Sequence, residues 1–306
     1  MRWTKKGLVY APAAAHGWDR EYAHLPTAYA VDTRTLRIYF ASLDEKRHGR
    51  IGYVEVDAEE PSRITAIGPH PVLDIGAPGL FDDSGVNPAC IVNRGGDQYL
   101  YYIGWQRAEQ VPYMLFAGLA ISSDGVRFRK VSRTPVLDRT PEEPFIRSST
   151  TVLSEGSSLR CWYVSALNWT TIHGVLYPEY VIRHAESTDG IRWKSYSDIC
   201  IPLVDDEFGI GRPWVLKDGG LYRMWYSIRS RSAPYRLGYA ESDDGVRWER
   251  KDHESALPRS ETGWDSEMIC YPCVIDAIGR RYLFYNGNRH GASGFGYAVL
   301  GGPDAD

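Results

Sequence analysis

The stretch Leu237-Gly238-Tyr239-Ala240-Glu241-Ser242-Asp243-Asp244-Gly245-Val246-Arg247-Trp248 decides the fold, because variants of it recur along the chain. Its apolar first half recurs around four further positions: Gly52, Gly118, His184 and Gly296. Its second half, a polar turn that ends on an aromatic residue, recurs at residues 122–128 and 187–193. A period of about 60 residues that persists over a whole chain is typical of a repeat architecture.

Two more segments precede this stretch in every copy. In the fourth copy, an apolar segment at residues 212–216 is followed by the turn Lys217-Asp218-Gly219-Gly220 and by an aromatic segment at residues 222–226. Alternating tyrosine and tryptophan favour strands, and a short glycine-containing turn between two strands favours a hairpin. The Asp-Gly turn then leads into a fourth strand. Each copy is therefore predicted to be a four-stranded antiparallel unit.

Five such units predict an all-β fold, a five-bladed β-propeller with four-stranded antiparallel blades. The alternative is a β-sandwich whose repeats are coincidental, and the internal similarity of the copies disfavours it. A ring of five units would use nearly all of the 306 residues. We therefore expect a single domain over residues 1–306.

Composition narrows the classes of partner. A net charge of −4 gives no reason to expect nucleic acid or an acidic membrane surface. We find neither an apolar run after Lys5 and Lys6 nor a stretch near transmembrane length, so no signal peptide and no membrane span are expected. The five cysteines fit a reducing compartment, and we expect a cytoplasmic location. Cys270 and Cys273 have the spacing of a redox or zinc motif, but they fall in a predicted strand without a second pair, which favours a structural role.

Strand direction indicates where a ligand would bind. Antiparallel strands alternate in direction, so successive loops lie on opposite faces of the fold. We call the residues just before the first strand of each unit its lead-in segment. The lead-in segments share a face with the loops that join second and third strands, whereas the Asp-Gly turns lie on the other face. The functional site is therefore predicted at the lead-in segments and the second-to-third loops.

Acidic residues recur in the lead-in segments. Glu21, Asp83 and Glu267 each stand five residues before the proline of a first strand, and Asp82 and Asp265 are nearby rivals. The first, second and fifth units would be neighbours in a closed ring, so the three acids would converge. The alternative is that each acid caps a turn or pairs with an arginine.

Polar and aromatic side chains accompany these acids. Tryptophan beside asparagine and arginine suits sugar recognition, because an aromatic face stacks on C–H groups while fixed amides bond hydroxyls. The alternative for any one of them is an ordinary solvated or paired surface residue. The longest second-to-third loop, at residues 166–180, is a candidate lid. The candidate substrate-binding residues are His24, Asn87, Trp105, Arg147, Asn168, Trp169, Arg212, Arg229, Tyr271, Asn286, Asn288 and His290.

The X-Pro first strands, tyrosine-rich second strands and Ser-Asp-Gly-x-x-Trp turns resemble the five-bladed propellers of glycoside hydrolase families 43, 32, 68, 62 and 130. The resemblance covers the whole chain as a repeat pattern. Family 43 carries acidic residues in Asp-Pro or Glu-Gly-Pro phrases, whereas the residues before the prolines here are Leu25, Asn87, Arg212 and Tyr271. The Asn-Asp-Pro-Asn-Gly and Arg-Asp-Pro motifs of family 32 are absent as well. The resemblance also suggests relatives associated with bacterial surface-polysaccharide synthesis.

The resemblance implies a carbohydrate-active enzyme, a hydrolase or transglycosidase acting on a small glycan. Cleavage of a glycosidic bond needs one acid to protonate the leaving oxygen and a second carboxylate as base or nucleophile. Glu267 is predicted as the acid and Asp83 as the base or nucleophile, with Glu21, Asp82 and Asp265 as further catalytic candidates. No cofactor is expected. Family 43 members can hold a calcium ion on the axis, to which His24 and His290 could contribute, but no spacing here requires a metal.

Two other hypotheses remain open. One is an enzyme of sugar transfer or modification in polysaccharide assembly, whose phosphate- or carboxylate-bearing substrate is held by Arg147, Arg212 and Arg229. The other is a non-catalytic sugar-binding or scaffold propeller that kept the pocket and lost the acids, and a pocket blocked by Trp105 or Trp169 would favour it. Two carboxylates at the predicted site would favour the hydrolase hypothesis. Arginines at that site without a carboxylate pair would favour the hypothesis of an anionic substrate. The sequence leaves the oligomeric state open.

Overall fold

The structure of the chain, a computed structural model, describes residues 1–14 and 16–301. Its regular elements are strands, apart from a 3-10 segment at Asp252–Ser255 and one helical turn, α1, at Asn288–Gly291. The prediction of an all-β chain is confirmed at this level. Neither helical segment has the length or apolar character that spanning a bilayer requires.

In the described residues the strands fall into five groups that match the sequence copies, and we call each group a unit. Strand β1 (Trp3–Tyr10) precedes them and pairs with the last strand of the fifth unit. The first unit contains β2 (Glu21–Ala30), β3 (Thr35–Leu43), β4 (Gly49–Asp57) and β5 (Ile64–Ile67), and the second contains β6 (Gly85–Arg94), β7 (Asp97–Arg107), β8 (Tyr113–Ser122) and β9 (Arg129–Lys130). The third unit contains β10 (Arg147–Glu155), β11 (Ser158–Ile172), β12 (Val175–Ser187) and β13 (Lys194–Ser195), and the fourth contains β14 (Glu207–Asp218), β15 (Leu221–Ser230), β16 (Arg236–Ser242) and β17 (Glu249–Arg250). The fifth unit contains β18 (Cys270–Ala277), β19 (Arg280–Asn286) and β20 (Phe295–Leu300).

Pairing within each unit is antiparallel in chain order, as predicted. Three neighbouring pairs of units are also joined by a single parallel bridge, of which Gly49 with Gly85 is one. The first strands β2, β6, β10, β14 and β18 contact one another in that order, and β18 also contacts β2. The five first strands therefore lie side by side at the centre of the molecule.

Aromatic residues of the second strands connect the first three units to the units that follow them. Tyr39 donates a hydrogen bond to the carbonyl of Gly125 at 2.6 Å, and Trp162 makes the same kind of bond to Gly245 at 2.7 Å. The glycines accept these bonds because they sit in Asp-Gly turns, where the left-handed φ of +70° at Gly125 turns the peptide outward. The structure thus gives the repeated turns a packing role on the outer part of the units.

Each first strand contains a β-bulge, near its start in β10 and β18 and closer to its middle in the others. The register shifts fall between His24 and Thr27, Pro88 and Cys90, Ser148 and Thr151, Gly211 and Trp214, and Cys270 and Cys273. Four of these bulges hold a non-glycine residue with left-handed φ: Leu25, Ser149, Arg212 and Tyr271. A bulge admits proline, which cannot donate to the ladder, and it redirects the neighbouring side chain. The X-Pro pairs of the sequence therefore mark where first strands turn residues toward the centre.

Candidate functional site

A cavity of about 450 Å³ opens where the bulged first strands meet. All five units contribute to its wall, through first strands, second strands and the starts of third strands. Its lining residues are Tyr22, His24, Leu25, Ala41, Leu43, Arg47, Asn87, Ile103, Trp105, Tyr113, Leu115, Ser148, Ser149, Val164, Tyr177, Tyr180, Gly211, Arg212, Ser227, Arg229, Tyr235, Tyr271 and His290. The wall is largely aromatic and carries three arginines, and among the described residues that line it there is no aspartate or glutamate.

The predicted catalytic carboxylates do not lie in this wall. Glu21 is exposed and forms an ion pair of 2.7 Å with Arg47. Because Arg47 lines the cavity, Glu21 is the one of the three acids that lies closest to it. Asp83 accepts hydrogen bonds from the Gly79 amide at 2.8 Å and the Ser84 hydroxyl at 3.0 Å, which makes it a loop acceptor. Glu267 is exposed, on a loop outside the lining. The structure therefore does not bring these three acids together, and their catalytic role stays a prediction.

The rival acids Asp82 and Asp265 are buried for a structural reason. Asp82 accepts the Tyr102 hydroxyl at 3.0 Å and pairs with Lys130 at 2.6 Å. Asp265 does the same with Tyr285 at 3.0 Å and Lys5 at 2.6 Å. Both carboxylates thus lie inside their units, away from the cavity, with a cation and a phenol as partners.

The third unit repeats this arrangement with different residues. Glu143 accepts the Tyr163 hydroxyl at 2.8 Å and pairs with Arg147, whose Nε lies 3.1 Å away. Arg147 also donates to the Asp138 carbonyl and the Ser195 hydroxyl. We call these three acid–tyrosine–cation sets the lead-in clusters. Arg147 is therefore a structural member of one cluster and does not line the cavity, contrary to our prediction.

Arg212 differs from Arg147 because no acid neutralises it. Its side chain is only 2% exposed. It donates to the Ala89 carbonyl, to the Thr27 hydroxyl at 2.8 Å and to the Pro26 carbonyl at 3.3 Å, while its Nε has no partner among the described residues. Burial lowers the pKa of Arg212 to about 10, and the group remains a cation at neutral pH. A buried charge without a counter-ion is costly and is a feature of ligand sites.

Arg229 is a second buried cation of this kind. It is 4% exposed, and it donates a hydrogen bond to the Pro178 carbonyl at 3.2 Å. Aromatic rings surround the guanidinium, with its carbon 4.5 Å from the ring centre of Phe208 and 5.0 Å from that of Tyr180. Its Nε is also unpaired within the described chain. Ring faces offset part of the cost of burial without neutralising the charge.

Histidine and tyrosine form the wall beside these arginines. His24 lies with Nδ1 2.6 Å from the backbone oxygen of His290, and its ring meets the Tyr271 ring edge-on at 4.9 Å. The His290 ring meets Tyr235 in the same way, also at 4.9 Å. Burial lowers the pKa of both histidines, to about 4 for His24. Both rings are therefore neutral at pH 7.

Seven of the twelve predicted substrate-binding residues line the cavity: His24, Asn87, Trp105, Arg212, Arg229, Tyr271 and His290. Besides Arg147, four others lie outside the lining. Asn286 is fully buried and holds the backbone of Ala23 and Leu25, and Asn288 holds the backbone of Gly263 and Glu267. Asn168 is exposed, and Trp169 packs behind the lining residue Tyr113 with ring centres 6.0 Å apart. These placements correct our prediction for the four residues.

The sequence reasoning missed a set of tyrosines. Tyr113, Tyr177 and Tyr180 lie at the start of third strands, and Tyr235 directly precedes one. Tyr177 and Tyr180 lie within residues 166–180, and Tyr22 lies beside Glu21, but no spacing in the sequence distinguished these tyrosines from others. Arg47 lies in the loop between β3 and β4 and carried no such signal either. The predicted lid, residues 166–180, forms a hairpin extension of β11 and β12 that brings two of these tyrosines to the cavity.

The described residues show no grouping of three or more His, Cys, Asp or Glu side chains able to hold a metal ion. The five cysteines are free and buried, and burial raises the pKa of Cys273 to about 12. Neither observation tests whether the protein uses a cofactor. The wall instead offers cations, phenols, one indole and neutral imidazoles, a set suited to an anion that also carries hydroxyl groups.

Comparison with known proteins places the chain in a family. No family model matches it. It is 38% identical over 301 residues to the uncharacterised protein Rv1502 of Mycobacterium tuberculosis, and the match covers 98% of this chain and 99% of the relative. The same identity and coverage relate it to the uncharacterised protein MT1551 of another strain of that species. The chain therefore belongs to the family of these mycobacterial proteins.

Solved structures with the same fold are glycoside hydrolases of the propeller type, which confirms the resemblance noted in the sequence. A structure of the GH130 family of mannoside phosphorylases and hydrolases gives a TM-score of 0.74 at 14% identity, over 98% of this chain and 93% of that one. A complex of BT0996 with RGII gives 0.73 at 20% identity, over 97% and 90%. A thermostable family-43 glycoside hydrolase gives 0.69 at 17% identity, over 95% and 91%. At these identities the likeness describes the fold.

Proposed function

We propose that the five units are the blades of one closed propeller domain over residues 1–306, and that its axial cavity binds an anionic sugar. Contact between β18 and β2 supports closure, since it joins the last first strand to the first. The Tyr282 hydroxyl also donates to the Ala58 carbonyl at 2.8 Å, which links the fifth unit to the first as other aromatic bonds link successive units. The free cysteines are consistent with the cytoplasmic location that we expected.

The observation that carries the proposed ligand is the pair of buried arginines without acidic partners. Arg212 and Arg229 each keep an unpaired Nε in a wall whose described residues include no carboxylate. A phosphate or carboxylate on the ligand would supply the missing counter-charge through charge-assisted hydrogen bonds. Aromatic side chains in the same wall would stack on sugar C–H groups. Of our three hypotheses, this favours sugar transfer or modification on an anionic substrate.

The other two hypotheses receive less support from the same wall. Hydrolysis by two carboxylates needs acids on both sides of the glycosidic bond, and the five predicted acids lie elsewhere. The non-catalytic hypothesis expected a pocket blocked by a tryptophan, but the cavity of about 450 Å³ is open. Trp105 forms part of its wall, and Trp169 lies behind Tyr113. The likeness to propeller glycoside hydrolases and phosphorylases supports a carbohydrate ligand in general. The reaction remains part of the proposal.

The test is calorimetric titration with glucose 1-phosphate, mannose 1-phosphate, UDP-glucose and glucuronate, against methyl glucoside as the neutral reference. We expect at least one anionic sugar to bind and the neutral glycoside to bind far more weakly. Arg212→Met and Arg229→Met should each weaken that binding by about 10- to 100-fold, the value of one charge-assisted hydrogen bond. Arg231→Gln, an exposed arginine outside the lining, is the matched control.

Thermal unfolding of each variant shows whether the fold is intact. Equal affinity for neutral and anionic sugars would overturn the proposal. So would unchanged affinity in both arginine variants.

A further inference from the structure

A backbone carbonyl determines which ring nitrogen of His24, a residue of the cavity wall, carries the hydrogen. Its Nδ1 lies 2.6 Å from the backbone oxygen of His290. A carbonyl oxygen can only accept, so Nδ1 carries the hydrogen. In a neutral imidazole the other nitrogen, Nε2, is then an acceptor with a lone pair. No group of the described chain donates to Nε2, and His24 lines the cavity.

The neighbours of His24 keep it in this neutral state. The rings of Tyr271 and Tyr22 lie edge-on at 4.9 Å and 6.4 Å, and the cation of Arg212 acts on it from β14. His290, on α1, is itself neutral at pH 7 because burial lowers its pKa. Burial is the main reason, and the Arg212 charge a lesser one, that the pKa of His24 falls to about 4. The hydrogen bond to the His290 carbonyl favours protonation, but burial outweighs it, and the ring is neutral at pH 7.

We propose that Nε2 of His24 accepts a hydrogen bond from a hydroxyl of the same sugar whose anionic group lies on Arg212 and Arg229, an inference that rests on the proposed function. The Nε2 lone pair would repel an anionic group that faced it, whereas it attracts the hydrogen of a hydroxyl group. The site is thus divided: the arginines hold the charge of the ligand and the imidazole holds a hydroxyl. Its ligand class is a hydroxylated anion, such as a sugar phosphate or a uronate.

The remainder of the wall makes this acceptor distinctive. The arginines donate only, and the serine, tyrosine and asparagine side chains of the lining can donate as well as accept, whereas Nε2 of this His24 tautomer can only accept. A site built to hydrogen-bond a ligand hydroxyl strongly rejects analogues that lack it, because the buried polar group is left unpaired. The inference also indicates which hydroxyl could act as a nucleophile, since an acceptor at a hydroxyl hydrogen increases the electron density on its oxygen.

The test combines ligand analogues with one substitution. The hexose 1-phosphate that binds best among those of glucose, mannose and galactose is compared with its 2-, 3-, 4- and 6-deoxy analogues and with inorganic phosphate. His24→Asn places an amide N–H where Nδ1 donates to the His290 carbonyl, but it removes Nε2. In the wild type, one deoxy analogue should lose about 10-fold or more in affinity, the value of one buried hydrogen bond.

In His24→Asn, the parent sugar phosphate should lose the same factor, and that one deoxy analogue should lose nothing further. Inorganic phosphate should bind equally to wild type and variant. His253→Asn, an exposed histidine outside the cavity, is the control. In parallel, nitrogen-15 spectra of histidine-labelled protein should show a neutral ring with hydrogen on Nδ1 at pH 7, and the Nε2 resonance should shift when the sugar phosphate binds.

The outcomes separate this inference from the proposed function. If His24→Asn weakens inorganic phosphate as much as the sugar phosphate, the imidazole contacts the anion and the inference fails while the anion site stands. Additive effects of the deoxy analogue and the substitution, or hydrogen on Nε2 in the free protein, overturn it as well. If no sugar phosphate binds the wild type, the proposed function fails and this inference fails with it.

Discussion

Two sets of buried charged side chains differ in their partners: those of the lead-in clusters have counter-ions within the described chain, and those of the central cavity do not. Asp265 has a lysine and a tyrosine hydroxyl as partners, whereas Arg212 has only backbone carbonyls and one threonine hydroxyl. Removing one partner of such a buried ion pair is strongly destabilising, because it leaves an uncompensated charge. A buried charge without a counter-ion costs stability, and a bound ligand is the natural way to offset that cost. Under our proposal, this contrast separates structural from ligand-binding polar groups better than residue type does.

The largest effect that would test this contrast is expected in a lead-in cluster. Asp265→Ala leaves the ammonium group of Lys5 and the hydroxyl of Tyr285 without their acceptor. We expect the free energy of unfolding to fall by about 3 kcal/mol, as when one partner of a buried ion pair is removed. Urea denaturation measures this, with the exposed neighbour Glu261→Ala as a control that should change it by less than about 0.5 kcal/mol.

Binding separates the two regions further. The folded Asp265→Ala variant should retain the sugar-phosphate affinity of the wild type, because the carboxylate lies outside the cavity wall. A variant that is as stable as the wild type but has lost binding would reverse the assignment. Asp265 would then belong to the functional site, as the sequence first predicted.

A smaller effect is expected from the neutral histidine in the cavity. The pKa of His24 is about 4 in the folded chain, against 6.5 for the unfolded group. Below pH 6.5 the unfolded state binds a proton that the folded state does not, so stability is complete above pH 6.5 and is lost as the pH falls toward 4. A difference of this size corresponds to about 3 kcal/mol at most.

His24→Asn should remove this part of the pH dependence, and His253→Asn should not. The measurement is the free energy of unfolding from urea denaturation at intervals between pH 4 and 7. Parallel pH curves for wild type and His24→Asn would mean that His24 titrates as an ordinary surface histidine. The cavity would then be far better solvated than its geometry indicates.

The smallest effects are expected at the predicted catalytic acids. Glu267→Gln alters an exposed side chain, and Asp83→Asn keeps an oxygen that can accept from the Gly79 amide. Both variants should bind the sugar phosphate within about twofold of wild type and unfold within about 0.5 kcal/mol of it. Assays on a panel of aryl glycosides give the opposing outcome. Loss of most turnover in both variants would favour the hydrolase over an anion-binding function.

The repeats, and the face on which the cavity opens, could be predicted from the sequence because both follow from local patterns. Alternating aromatics and Asp-Gly turns specify strands and hairpins, and antiparallel order then determines on which face each loop lies. The X-Pro pairs were the better guide to the site. Leu25, Asn87, Arg212 and Tyr271 each precede a proline and line the cavity; Ser149, at the equivalent position of the third unit, lines it without a following proline.

The choice of acids was the weakest part, for a physical reason. A lead-in carboxylate can point into the cavity or into its own unit, and sequence spacing does not distinguish the two. Asp82 lies next to Asp83, yet Asp82 points to Tyr102 and Asp83 to the Gly79 amide. The second-strand tyrosines Tyr102, Tyr163 and Tyr285 were visible in the sequence, and their need for a buried acceptor could have identified the structural acids.

The bulges in the first strands have a consequence for how this scaffold can change. The four bulge residues with left-handed φ all line the cavity, and their side chains are as unlike as leucine, serine, arginine and tyrosine. Exchanging a side chain at one of them therefore alters what the molecule recognises while its strands stay in place. Laboratory evolution for new specificity could begin with a small library confined to these bulge positions.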